Sequence, residues 1–390
     1  GRLKTDPRYA RILILSGAFG FAWMIAQGLG IGLRGFSAEW LTAVFGPLED
    51  RQFGMGYGAL LTATAFLFLF TQGIAARGAV IGGVIAVVGI FVFFPIAKML
   101  LAAFATEDGG YSVVGFFPKF FDGRIWGLGC LGGGRCGAAW NSLVLAVIVG
   151  VLTTLLGLSF ALVLTRSGFR FKRSLRALTV LPIITPPFVI GLAIILLFGL
   201  SGAVTTTVSS VLGIDPSRWV YGLPGVLIAQ LLAFTPIAFL VLIGVVEGVS
   251  PSMEEAAQTL RANRWQTFRT VSLPLMRPGL ANAFLLGFIE SMADFGNPLV
   301  LGGNFDVLST EIFFAIVGAQ YDQSRAAILA MVLLAFTLGA FYLQRFWLGR
   351  KSYTTVTGKG DAGVHPAMPR RLALPVYTVV TLWSAFTLVI

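Results

Sequence analysis

The chain has 390 residues; 56% are hydrophobic, only 12% are charged, and the formal net charge is +11. A soluble domain carries roughly twice that charge fraction, so a water-soluble globule is excluded. The excess of cations does not point to nucleic acid, because they lie mainly in loops between apolar runs and no RNA-binding signature accompanies them.

The apolar runs are long enough to cross a hydrocarbon core of about 30 Å as helix. Helices also satisfy every backbone group internally, whereas a membrane barrel gives a weaker, alternating pattern. The expectation is an all-α, polytopic transmembrane bundle. About eight spans are predicted, near 12–32, 57–76, 78–104, 139–165, 176–200, 222–247, 279–301 and 326–348, with a ninth starting near 372. The run 11–33 is too long for a signal-peptide core and lacks a clear cleavage site, so it reads as a membrane anchor. The chain opens on Gly1 and closes within the uncharged run 372–390, which predicts a piece of a longer polypeptide. With the N-terminus inside, Lys and Arg divide 20 inner to 7 outer, with Lys98 within a span. That bias predicts a cytoplasmic N-terminus.

The longest outer loop, about 105–138, holds Cys130 and Cys136, the only two cysteines. In an oxidising compartment they can close a short glycine-rich loop as a disulfide. Two free thiols is the alternative, and two lone cysteines make a poor metal site. The polar stretch 349–371, with the single histidine His365, reads as a flexible cytoplasmic linker leading to the next span.

One inner loop, "PSMEEAAQTLRANRWQTFRTVSLPLMRPG" (251–279), is far longer than a turn requires. Ser252-x-x-Glu255 has the form of a capping box. Met253, Ala256, Ala257 and Leu260 fall on one helical stripe, thinned by its two alanines so that another surface can come close. A second helix is predicted from Asn263, with Trp265 and Phe268 on one face and Leu273-Pro274 ending it. An interfacial helix without a partner would carry large apolar residues along its face, which Ala256 and Ala257 do not supply. The stretch therefore reads as a docking element for a soluble protein.

This loop resembles the EAA loop of permease subunits in binding-protein-dependent ABC importers. The family pattern is E-A-A, three residues, G, nine residues, I-x-L-P. Here it is Glu255-Ala256-Ala257, then Arg261, then Val271-Ser272-Leu273-Pro274, with the spacing kept throughout. Val271 for Ile is mild. Arg261 stands where the family has the glycine of the inter-helix turn, so that turn is expected to tighten, shift to Ala262-Asn263 or dock differently. The resemblance implies a type I ABC importer permease fold. It also implies a layout: extra spans and an outer loop (1–138), a permease core (139–348) with the loop at 249–278, the linker (349–371), and the first span of a second permease half (372–390). It implies as partners a cytoplasmic ABC ATPase dimer, which binds the loop, and a periplasmic or lipid-anchored substrate-binding protein, with membrane lipid around the spans. The chain has no G-x-x-x-x-G-K-[ST] phosphate loop; Thr357-Gly-Lys-Gly360 lacks the hydroxyl residue. It is thus expected to bind no cofactor itself and to be no enzyme, with ATP and Mg held by the ATPase.

Beyond the loop, Glu290 and Asp294 stand four apart, hence on roughly one helical face near mid-membrane. Buried membrane carboxylates face a bundle interior or an aqueous path. The pair is either part of a cation translocation path or a structural pair, and Gln230, Asn282 and Asn297 can join either. The stretch "ADFGNPLVLGGNF" (293–305) resembles ferric iron importer permeases. Ferric iron is therefore the expected cargo, with polyamine, thiamine, sulfate or phosphonate as alternatives. An ion-coupled secondary transporter using Glu290 and Asp294 is the competing class, and it leaves the EAA spacing unexplained. The chain lacks a metal-ligand cluster and a nucleophile elbow, which argues against a membrane enzyme.

Overall fold

The computed structural model describes residues 89–106, 110–318, 321–349 and 366–390. The spans expected near 12–32 and 57–76, the start of the third and most of the linker lie outside the described residues. The chain divides into two compact units, Gly1–Gly109 and Gly110–Ile390. In the first, a π-turn at Gly89–Phe93 runs into α1 (Phe94–Ala102).

The second unit is helical, and its described residues include the isolated β-bridge Leu128 to Cys136. It opens with α2 (Val113–Phe120), capped by Ser112, and α3 (Gly123–Trp126), capped by Asp122. The long helix α4 (Ala138–Arg166) follows, then α5 (Lys172–Val180). The single span expected at 176–200 is corrected here. Pro182, Pro186 and Pro187 lack amide donors, and Thr185 and Pro186, each preceding a proline, take extended backbone with ψ 125° and 138°. A 3-10 turn at Leu181–Ile184 therefore separates α5 from α6 (Pro187–Phe198), and α7 (Ala203–Leu212) continues beyond a Gly199–Gly202 break. Next come α8 (Leu223–Glu247), the loop helices α9 (Pro251–Thr259) and α10 (Arg264–Thr267), and α11 (Leu273–Ala293). The chain closes with α12 (Gly296–Leu301), α13 (Leu308–Val317), α14 (Gln323–Gly349) and α15 (Arg370–Val389). The span expected at 279–301 ends at Ala293, where the backbone leaves the helix at Asp294 (ψ 115°).

Among the described residues, six helical segments are long and apolar enough to cross a membrane: 138–166, 187–212, 223–247, 264–293, 323–348 and 370–389. Helix α4 lies between α8 and α11. In lipid, helices associate through close packing rather than hydrophobic exclusion, so small residues mark their crossings. Gly150 of α4 meets Gly287 of α11, where an added Cβ on Gly287 would lie 3.2 Å from the Gly150 Cα. A Cβ on Gly157 would lie 2.8 Å from the Phe239 nitrogen and 2.9 Å from the Ala238 carbonyl carbon of α8. Backbone, unlike a flexible side chain, cannot yield. Overpacking at such a crossing costs about 1–3 kcal/mol. Gly157→Val should therefore lower the thermal unfolding midpoint of the detergent-solubilised protein; an unchanged midpoint would show that the α4–α8 crossing is looser than drawn.

Candidate functional site

The loop between α8 and α11 is built from its ends. Ser250 is the N-cap of α9, with Pro251 in its first turn, and no side chain caps it. The capping box expected from Ser252 and Glu255 does not form. Proline is pre-organised for the first helical position, so the helix starts before Ser252, whose hydroxyl instead lies 2.8 Å from that of Ser250. At the other end the Arg261 N–H donates to the Gln258 carbonyl (2.9 Å) and the Ala262 N–H to the Ala257 carbonyl (3.1 Å). These are the two bonds of a Schellman stop, which places its C′ residue in the left-handed region. Arg261 is that residue, with φ +65°. The turn therefore neither shifts nor tightens: an arginine occupies a left-handed position that favours glycine.

Asn263 then caps α10 in a capping box with Gln266, both bonds at 2.9 Å. Proline does not end this helix, contrary to expectation. A π-turn at Phe268–Ser272 leads directly into α11, with Pro274 in its first turn. Widening the ladder there removes the bond that proline cannot donate and relieves its ring clash.

The motif residues divide by face. Glu255 and Ala256 are exposed, as are Met253 and Leu260, which keeps 84% of its surface open, and Arg261; Ala257 is half-buried. Val271, Leu273 and Pro274 are partly buried, and Leu273 packs on the core with Trp265 and Phe268. The latter two rings stack 6.3 Å apart and face the body. The thin stripe is thus the outward surface.

The residue that sequence reasoning passed over is Glu254. It is 0% exposed, next in sequence to exposed Glu255. Its Oε1 lies 2.6 Å from Nη1 of Arg166, the last residue of α4, and accepts a bond from the Ser272 hydroxyl. Arg166 is also buried. Successive helical residues point about 100° apart, so two adjacent glutamates need not share surroundings; that was the available signal.

A second polar cluster lies at the α11–α12 break. Asp294 Oδ1 accepts from the Gly296 N–H (3.0 Å) and the Asn297 N–H (3.3 Å). Its Oδ2 accepts from Gln230 Nε2 (2.9 Å) and Asn297 Nδ2 (2.8 Å). The Ser291 hydroxyl donates to Gln230 Oε1 (2.7 Å), and the Ser309 hydroxyl to the Asp294 carbonyl (2.7 Å). Gln230, Asn297 and Asp294 are all buried. Of the three polar residues expected near the carboxylates, Gln230 and Asn297 join; Asn282 instead accepts from Gln344 (2.7 Å). Glu290 is half-buried in α11. Asp294 is the C-cap of α11: its N–H still donates to the Glu290 carbonyl (3.0 Å), and the backbone leaves the helix only after it. In the segment before α4, Cys130 and Cys136 are joined as a disulfide, Cα atoms 4.7 Å apart, across the Leu128–Cys136 bridge. Among the described residues no group of His, Cys, Asp and Glu could hold a metal ion.

The family described as binding-protein-dependent transport system inner membrane component matches residues 153–347. The ferric transport system permease protein FbpB of Actinobacillus pleuropneumoniae is 40% identical over 347 residues, which are 85% of this chain and 48% of that protein. A Haemophilus influenzae protein named for ferric transport, FbpB 1, is 47% identical over 248 residues, 64% of this chain and 39% of its own length. This chain thus spans less than half of either relative. The molybdenum transport system permease ModB of Azotobacter vinelandii is 31% identical over 52% of the chain. Among solved structures, a bacterial ABC transporter that imports alginate superposes with a TM-score of 0.56 at 19% identity, covering 70% of this chain and 96% of that one. The fold is that of an ABC importer permease.

Two outcomes follow. A non-glycine residue in the left-handed region costs about 1–2 kcal/mol, so Arg261→Gly should raise the unfolding midpoint; a lowered midpoint would mean that the arginine side chain makes compensating contacts. Asp294→Ala strands two backbone and two amide donors in a buried site, at about 1–3 kcal/mol for each unsatisfied group. It should sharply reduce the folded fraction recovered from membranes, whereas a residue that only met cargo would leave that fraction unchanged.

Proposed function

Because the chain belongs to the family of binding-protein-dependent transport system inner membrane components, we propose that it forms the membrane path of an ATP-driven importer for ferric iron. The family is a transport component rather than an enzyme, and its members lie in the inner membrane as multi-pass proteins. The observation that carries the coupling role is the outward face of α9: Glu255, Ala256 and Leu260 are exposed while Glu254 is turned into the body. A thin, small-residue helix with a charge at its edge suits a cleft on a soluble partner. That partner is a cytoplasmic ABC ATPase dimer, which holds ATP and Mg, and closure of its two subunits moves the permease between inward- and outward-open states. The charge bias favours a cytoplasmic N-terminus and puts α9 on the same side. Cargo arrives from a substrate-binding protein, periplasmic or lipid-anchored, on the opposite face.

Ferric iron rests on the two ferric relatives, whose identity extends over more of this chain than the match to ModB does. Glu290 is the better candidate for the translocation path. Asp294 spends its oxygens on four hydrogen bonds that hold the helix break, which leaves it little capacity to meet cargo.

The test is uptake of radioactive ferric iron by cells lacking the full-length gene and any second iron system. Wild type should restore uptake, and Glu255→Lys should cut it at least tenfold while the protein still inserts. Uptake indifferent to the deletion would remove iron as cargo. Normal uptake with Glu255→Lys would remove the docking role of that residue.

A further inference from the structure

Helix α9 has nine residues, and only Pro251 and Glu254 among them are buried. Proline offers no donor, so the buried polar contact of this helix with the rest of the molecule is made by the Glu254 carboxylate. We propose that Arg166, Glu254 and Ser272 form the mechanical joint through which displacement of α9 reaches the membrane helices, with Arg166 as its positioning residue. The proposal rests on the coupling role given to α9 above and deepens it.

Three ends meet at this point. Arg166 terminates α4, the 29-residue helix packed between α8 and α11. Ser272 immediately precedes α11. Glu254 Oε1 accepts from both: Arg166 Nη1 at 2.6 Å and the Ser272 hydroxyl. Nη1 also lies 3.4 Å from Ser272 Oγ, so the triangle is closed. A fourth strand of chain joins through the backbone. The Met368 N–H donates to the Arg166 carbonyl (3.1 Å), and buried Met368 opens the approach to α15. A push on α9 therefore bears at once on α4, on α11 and on the segment leading to α15.

The chemistry favours a joint over a simple staple. A buried ion pair contributes little net stability compared with apolar residues of the same size, yet severing one partner is strongly destabilising. Such a pair transmits force because neither end can be left alone in a dry site. It is also made on one edge of the guanidinium: Arg166 Nε and Nη2 have no hydrogen-bond partner among the described residues. A two-bond fork would fix the angle between the groups. Here the Ser272 hydroxyl supplies a second contact to the same Oε1, so α9 is held to the end of α4 in angle as well as position and the two move together.

The experiment uses the full-length protein with its ATPase in nanodiscs. Spin labels at exposed Gln258 of α9 and exposed Leu155 of α4 report the separation of the two helices. In wild type the distance distribution should stay narrow and keep its centre when ATP and vanadate are added, because α9 and α4 move together. Arg166→Met should at least double its width while the ATPase still co-purifies, since the outward face is untouched, and Arg166→Lys should restore the narrow distribution by returning a cation to Glu254. If Arg166→Met does not fold, Glu254→Gln removes the charge while retaining an acceptor, and should broaden the distribution likewise. A narrow, unmoved distribution in the variant that folds overturns the joint and leaves ATPase coupling standing. Wild-type protein that recovers no ATPase overturns the coupling role and the joint with it.

Discussion

A carboxylate placed at zero exposure beside a guanidinium must stay there, because each charge has exchanged water for the other. The Glu254–Arg166 contact of 2.6 Å therefore constrains more of this structure than its single bond suggests. It fixes which face of α9 is turned inward and, by the 100° step between residues, which face is left for a partner. It also ties a loop that is otherwise exposed on its outer face to the most enclosed helices of the unit. The close glycine crossings of α4 with α8 and α11 then make those helices a stiff receiver. A densely packed core is bistable rather than pliable, so a small displacement at its edge is passed on instead of absorbed.

The Asp294 cluster solves a different problem with the same chemistry. A helix broken within a membrane exposes backbone donors that lipid cannot satisfy, and such breaks survive only where protein or water meets those groups. Asp294 covers the Gly296 and Asn297 N–H groups at the start of α12, Gln230 of α8 and Asn297 cover Asp294, and Ser309 covers its carbonyl. These donors offset part of the cost of burying the acid, and holding them makes it a latch of the break rather than a mobile ligand. Glu290, one turn earlier and half-buried, has no comparable set of donors around it.

Much of this was legible in the sequence where one signal dominated. Length and charge-free runs located α4, α8 and α14 to within a few residues, and the spacing from Glu255 to Pro274 singled out the loop between α8 and α11. The Asn263–Gln266 cap was readable for the same reason, since both partners lie within one turn. The failures share a cause: each turned on proline or on long-range pairing. Prolines at 182, 186 and 187 divided a run that hydropathy alone kept whole, while Pro274, expected to stop a helix, was accommodated by a π-turn. Asp294 looked helical by spacing because its partners, Gln230 above all, are distant in sequence. Arg166 counted as one more inner-loop cation because Glu254 lies 88 residues away. Periodicity reports local geometry; it cannot say which of two neighbouring glutamates will meet a cation brought in by another helix.

The phase of α9 follows from its two ends. Pro251 sets where the helix begins, and the left-handed Arg261 sets where it stops, two and a half turns later. A shift of one residue in either would rotate the helix by about 100° and exchange the surroundings of Glu254 and Glu255. The inward carboxylate would then lose its guanidinium, and the exposed stripe would turn toward the body. A glycine at position 261 would permit the stop without strain, but glycine also permits other backbone angles. An arginine there costs stability in the left-handed conformation and so endures only because the two Schellman bonds and the buried pair hold the helix to one length. The strain at Arg261 and the ion pair at Glu254 are thus two ends of a single constraint, the rotational setting of α9.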